Sequence, residues 1–266
     1  MQQRATLPAI LVALWALASP LFAGGAPADP HGDWARALGT HVDEQGLVDY
    51  IGLAEDREAL DRYLAFVHRV SPDSAPDAFP TRDHELAHYL NAYNALVFEG
   101  VLGLEPGIDT VWGNGDGAGF FSNMPVLVGG TKTNLQDLEN KIIREQYRDP
   151  RIHAALNCAS MGCPRLPMEP FRGETLDAQL DAAIREFVND PRHVGFDAAA
   201  GTVRLSKIFD WFAGDFIADQ ERNGHPDRTA LGYINRYRAA GSEIPANARV
   251  EIPAYDKRLN QQGTPF

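Results

Sequence analysis

At 266 residues, 44% hydrophobic and 23% charged, the chain is long enough to fill one core, and it is too apolar for an extended disordered polymer, a collagen or a coiled coil. Acidic residues number 36 against 24 Lys and Arg, a formal charge of −12, and no basic run is dense enough to track a phosphate backbone. Nucleic acid is not an expected partner.

The first segment reads as an address. Arg4 is its sole charge, Leu7 to Phe22 is apolar, and Ala23-Gly24-Gly25-Ala26 supplies the small residues of a cleavage site, which is the layout of a secretory signal. The apolar run is short for a membrane span and ends near Pro20. Residues 1–23 are therefore expected to be removed, 24–32 to be a linker and 33–266 to form one domain; losing Arg4 takes the charge from −12 to −13. An exported protein is expected, periplasmic or secreted, and not membrane-embedded after cleavage.

Along the mature chain, Asp33 to Thr40 reads as a short helix, and Asp43 to Gly46 as a turn into Leu47 to Tyr50. From Glu55 to Val70, Leu60, Tyr63, Leu64 and Val67 recur at helical spacing. Ser71 to Pro80 is a loop. Thr81 can cap a helix reaching about Leu102, with Leu86, Leu90, Tyr93 and Val97 inward. After a Gly-rich loop, Gly113 to Gly119, the sequence Val126-Leu127-Val128-Gly129-Gly130-Thr131-Lys132-Thr133 predicts a hairpin, because Gly-Gly supplies positive φ. Asn134 caps a helix to about Tyr147. Ile152 to Leu156 reads as a buried strand, Cys158 to Pro167 as irregular, and Thr175 to Val188 as a helix with Leu176, Leu180, Ile184 and Phe187 aligned. A strand at Val203 to Leu205, a helix capped by Ser206, a last helix at Asp227 to Ala239 and an edge strand at Arg249 to Ile252 complete a single α+β domain with a small sheet.

His84-Glu85-Leu86-Ala87-His88 has the spacing of a zinc-peptidase helix, in which two histidines one turn apart hold metal and the glutamate activates water. The third ligand has no suitably spaced candidate, so neither a metal nor a cofactor is expected, and a solvated helix face is the simpler reading.

Three runs carry more. Leu90-Asn91-Ala92-Tyr93-Asn94-Ala95-Leu96 places two asparagines in a helix interior, where asparagine is a mediocre helix former. Arg151 to Pro164 ends an apolar segment in Asn157, Cys158, Ser160 and Cys163; Leu205 to Phe212, with Asp215 and Phe216, is the third. Together they resemble the family known as domain of unknown function 547, found in exported bacterial proteins and in plant proteins. The resemblance runs over roughly Asp33 to Asn260 and includes a closing Tyr255-Asp256 and Leu259-Asn260. One departure stands out: the family often has a Glu-His pair in the helix after its hairpin, and here Glu139 precedes Asn140. A distant likeness to papain or transglutaminase folds would set a helix against the segment bearing the histidine.

The leading reading is a non-catalytic module that binds a small molecule or protein of unidentified nature. Its cleft would be lined by the Asn91 to Asn94 helix and the His153 to Ser160 segment, with Asn91, Tyr93, Asn94, Glu139, Ser160 and Lys207 as binding residues. The first alternative is a cysteine-dependent amide or ester hydrolase or acyl transferase, with Cys158 as nucleophile, His153 as base and Asn157 orienting the imidazole. A zinc hydrolase is the second. Against nucleophilic chemistry stands a Cys158–Cys163 disulfide, which the oxidising exterior favours. Simpler roles exist for several of these residues: a polar network satisfying loop backbone for Asn91, Asn94 and His153, a surface cation for Lys207, core packing for Trp211, and cleft walls or anchors for Phe120 and Phe121.

Overall fold

Helix α4, Arg82–Leu102, runs through the middle of the fold. Thr81 opens it, its hydroxyl accepting from the His84 amide, and buried residues occur on every side from Leu86 to Val101. A helix apolar all round must be covered all round, and α1 (Pro30–His41), α2 (Tyr50–Glu55) and α3 (Glu58–Val67) supply much of the cover. Trp34 of α1 stacks on Tyr63 of α3 at 5.5 Å and meets Phe98 of α4 edge-on at 5.3 Å. The helix expected over 55–70 forms as α3, and a separate short helix precedes it, α2, which Asp49 caps by accepting from the Gly52 amide. This computed structural model describes residues 30–113, 115 and 117–266; the expected signal segment and most of the linker lie outside the described residues.

The chain then passes through a 3₁₀ turn at Pro76–Ala78 and, beyond α4, a short α5, Ala118–Phe121, at the end of the Gly-rich loop. The hairpin forms as expected from β1 (Val126–Val128) and β2 (Thr131–Thr133), with Val128 opposite Thr131 and Gly129 and Gly130 at φ of 56° and 81°. Asn134 caps α6, Leu135–Asp137, accepting from the Asp137 amide at 2.7 Å; the helix then widens into a π-helical stretch, Leu138–Tyr147.

The strand expected at Ile152 to Leu156 is absent. Pro150 lacks an amide donor and the Asp149 carboxylate accepts from the Arg151 amide at 2.9 Å, so the chain coils into a 3₁₀ turn over Pro150–Ala154. The apolar run is buried as anticipated, but a short apolar run does not distinguish a strand from an interior coil.

Helix α7, Leu176–Asn189, spans two cores: Leu176 and Leu180 join the packing around α4, while Ile184 and Phe187 join a second cluster with Phe209, Phe216 and Tyr233. That second core is covered by a three-stranded sheet. Strand β3 (Val194–Asp197) pairs antiparallel with β4 (Thr202–Leu205), and β4 pairs parallel with the edge strand β5 (Arg249–Glu251). Helices α8 (Lys207–Trp211), α9 (Ala213–Arg222) and α10 (Ala230–Tyr237) complete a single α+β domain. No helix among the described residues is long and apolar enough to cross a membrane.

Candidate functional site

The two helix-interior asparagines are clamps on irregular backbone. Asn91 donates to the Phe171 carbonyl at 2.8 Å and accepts from the Phe171 amide at 2.9 Å. One turn later, Asn94 donates to the Ala155 carbonyl at 3.0 Å and accepts from the Asn157 amide at 2.9 Å. Each amide group satisfies a buried donor and a buried acceptor that no helix or sheet reaches. Asn157 continues the network: it accepts from the Ala159 amide at 2.9 Å, donates to the Pro164 carbonyl at 3.0 Å, and accepts from Asn260, which in turn accepts from the Tyr50 hydroxyl at 3.0 Å.

This network shapes the cysteine loop. Ala159 sits at φ 59°, a left-handed conformation uncommon for a residue with a Cβ, and it is held there by its bond to Asn157 and by the Asn260 amide on its carbonyl. The loop then pairs with the C-terminal segment: Met161 and Gly162 amides donate to the carbonyls of Arg258 and Asp256. Gly162 is needed because a Cβ there would come within 2.6 Å of the Tyr255 ring. With glycine in place, the ring lies against the loop and its hydroxyl reaches both sulfurs.

The disulfide expected between Cys158 and Cys163 is not formed: both are free thiols, their sulfurs 2.7 Å apart. The Tyr255 oxygen is 3.2 Å from each, and the Cys158 amide donates to the Cys163 sulfur at 3.0 Å. A hydrogen bond to Cys163, reinforced by burial, pushes the Cys158 thiol well up; burial opposes ionisation of Cys163 too, but hydrogen bonds from Cys158 and Tyr255 outweigh it and draw that thiol down. Of the two thiols, Cys163 is thus the easier to ionise.

Both sulfurs line a cavity of about 270 Å³. Its walls are largely aromatic, from Tyr93, Trp112, Phe121, Trp211, Phe212 and Tyr255, and its polar lining comes from Glu139, Gln136, Asn140 and His153. Trp211 is 43% exposed and stacks on Trp112 at 6.0 Å, so it forms the rim and not the core packing expected of it. Phe121 is the wall residue and Phe120 the buried anchor. Trp112 is fixed by donating its indole N–H to the Ser160 hydroxyl at 2.7 Å. Glu139 accepts from the Tyr93 hydroxyl at 3.3 Å; burial raises its carboxyl to about 7, a rise that Tyr93 and Arg144 moderate.

His153 meets the same cavity from another side. Its Nε2 lies 2.8 Å from Asp215, its ring stacks on Phe212 at 4.0 Å, and its buried Nδ1 has no partner. Burial lowers its basicity against the pull of Asp215. Asp215 is held near 2 by His153 and by a bidentate bond from Arg144, which outweigh its own burial. The group that orients the imidazole is thus an aspartate, whereas Asn157 holds backbone. No hydrogen bond joins His153 to either sulfur among the described residues.

Of the residues singled out from sequence, the fold brings Tyr93, Glu139, His153, Cys158 and Cys163 to one cavity. Asn91, Asn94, Asn157 and Ser160 stand behind it as supports, and Lys207 pairs with Asp210 at 2.6 Å beside a different cavity. His84 and His88 share no ligand set. The His84 ring nitrogens contact Thr81 at 2.8 Å and Glu174 at 3.1 Å, while His88, its basicity lowered by burial to about 3, is enclosed by Phe66, Phe79 and Tyr89. Among the described residues no three His, Cys, Asp or Glu side chains are grouped to share a metal ion. Trp112 went unrecognised as a site residue; Asp215 and Tyr255 were visible only as parts of motifs, because their contacts cross 62 and 97 residues of sequence.

Residues 77–188 match the family model described as protein of unknown function, DUF547. The DUF547 segment contains both clamping asparagines, the hairpin, Glu139, His153 and both cysteines; the wall residues Trp211 and Tyr255, and Asp215, lie beyond it. No curated protein and no solved structure matches the chain.

Proposed function

We propose that this is an exported domain whose cleft binds a small molecule and carries a dithiol centre for two-electron thiol–disulfide chemistry. The observation behind it is the pair of free sulfurs at 2.7 Å on the cavity wall, supplied with hydrogen-bond donors by Tyr255 and the Cys158 amide and not by an imidazole. Acyl transfer would call for a base on the sulfur, and the imidazole is committed to Asp215 and Phe212. Dithiol exchange needs no separate base, since the second thiol sits beside the first.

The atoms balance as follows. The Cys163 thiolate attacks one sulfur of a disulfide RS–SR′, forming a Cys163–SR mixed disulfide and releasing R′S⁻, which takes up a proton. Cys158 then gives its proton to solvent and attacks the Cys163 sulfur; the Cys158–Cys163 bond forms and RS⁻ leaves. Run in reverse, the closed pair oxidises a dithiol.

Purified protein equilibrated in reduced and oxidised dithiothreitol, then alkylated and weighed, should interconvert between two free thiols and one internal bond. Cys158→Ser should stop at the mixed disulfide on Cys163. Cys163→Ser should form no internal bond, its Cys158 stopping at a mixed disulfide that persists until added thiol displaces it. A bond that excess dithiothreitol never opens in the native protein, or two thiols that alkylate independently at every ratio, would refute the proposal.

A further inference from the structure

The cavity lining also has a charge character. Among its described residues there is no Lys or Arg, whereas Glu139, protonated up to about pH 7 and charged above it, stands on the same lining as the two sulfurs. Two nearby cations stand outside the lining: Arg144, over the Phe212 ring at 4.6 Å, is held by Asp215, and the Lys257 ammonium rests on the Trp112 ring at 4.7 Å and bonds the Gly115 carbonyl. That contact shows one indole face of this wall already holding a cation. Trp211, stacked on Trp112 and tilted against Tyr255 at 4.9 Å, offers a second, more open aromatic face. Aromatic faces above buried acidic groups attract ammonium groups and give a carboxylate no partner. The volume, about 270 Å³, suits a molecule of small size rather than a protein loop.

Resting on the dithiol reading, we infer that the cleft selects a low-molecular-mass disulfide bearing an amine, the ammonium lying against Trp211 with Glu139 as its counter-charge. An anionic disulfide of equal length would meet the Glu139 carboxylate and the sulfurs, while the neighbouring Arg144 is already committed to Asp215 by a bidentate bond.

Three probes of similar length separate the cases: cystamine, with an ammonium at each end, 2-hydroxyethyl disulfide, which is uncharged, and dithiodiglycolate, with a carboxylate at each end. The second-order rate constant of each with the reduced protein is measured at pH 8, above the Glu139 transition, and in high salt, which screens the overall negative charge of the chain. Dividing by the rate of the same probe with 2-mercaptoethanol removes differences in leaving-group acidity. We expect cystamine to exceed dithiodiglycolate about tenfold after this correction, with the neutral probe between them. Glu139→Gln should shrink that span to about threefold or less, and Trp211→Leu, at an exposed position that tolerates the change, should slow cystamine alone. Equal corrected rates, or a faster anion, would overturn the amine inference while leaving the dithiol centre standing. No reaction with any of the three would instead remove the dithiol reading on which it rests.

Discussion

Asn94→Ala is expected to lower stability by about 4 kcal/mol, since it strips hydrogen bonds from two buried backbone groups, the Ala155 carbonyl and the Asn157 amide, at about 1–3 kcal/mol each. For a chain of this size that corresponds to a fall of roughly 10 °C in the unfolding midpoint. Asn91→Ala should be of similar magnitude, because it frees both backbone groups of Phe171. The two variants differ in what else they disturb. Asn94 anchors the residue that precedes Cys158, so its loss should also alter the alkylation rate of the thiol pair, while Asn91, whose clamp is at Phe171, should leave that rate near wild type. Thermal unfolding and thiol labelling of both variants at one temperature below either midpoint check this. A loss under about 1 kcal/mol for Asn94→Ala would mean that water or relaxed backbone replaces the clamp.

Those asparagines also show where the sequence was legible. Two amides in an apolar helix interior announce a task, and the polar-network reading of them is what the contacts display. Local signals of this kind carried much of the fold: Thr81 and Asn134 as caps, Gly129-Gly130 as a turn, and the aligned apolar faces of α3 and α7. The misread strand at 152–156 has the opposite origin. Its burial was visible, but its hydrogen-bonding partners are an asparagine some sixty residues earlier and its own 3₁₀ turn, and neither leaves a period in the local sequence. The site divides the same way. Cys158, Cys163, Glu139 and His153 stood out by residue type, while the aromatic walls and the Tyr255 donor come from loops and short helices whose approach only the packed fold determines. Cys158 was favoured as the nucleophile for its place near His153 at the end of an apolar run; the bond its amide donates to Cys163 is not visible in the sequence.

Glu139→Gln is expected to stabilise the protein above neutral pH and to leave it little changed near pH 4.5. The Glu139 carboxyl is raised from its ordinary 4.5 to about 7 chiefly by burial, with Asp215 adding repulsion and Tyr93 and Arg144 opposing. Between these two values the native state keeps a proton that the unfolded chain has released. Stability therefore falls as pH rises across that window and levels off above about 7. The full difference corresponds to at most about 3 kcal/mol, reduced by whatever water enters the half-buried cavity. His153, whose basicity is lowered, contributes with the opposite sign, stability being lost as pH falls; that contribution is common to wild type and variant and cancels in their difference. Urea unfolding of both proteins at pH 4.5, 6 and 8 should give a gap that opens with pH. A constant gap would show that Glu139 ionises like a surface carboxylate, and the floor of the cleft would then carry its full negative charge throughout that range. A gap that opens would place the charged form of this carboxyl above about pH 7, the range in which the proposed amine site calls for it.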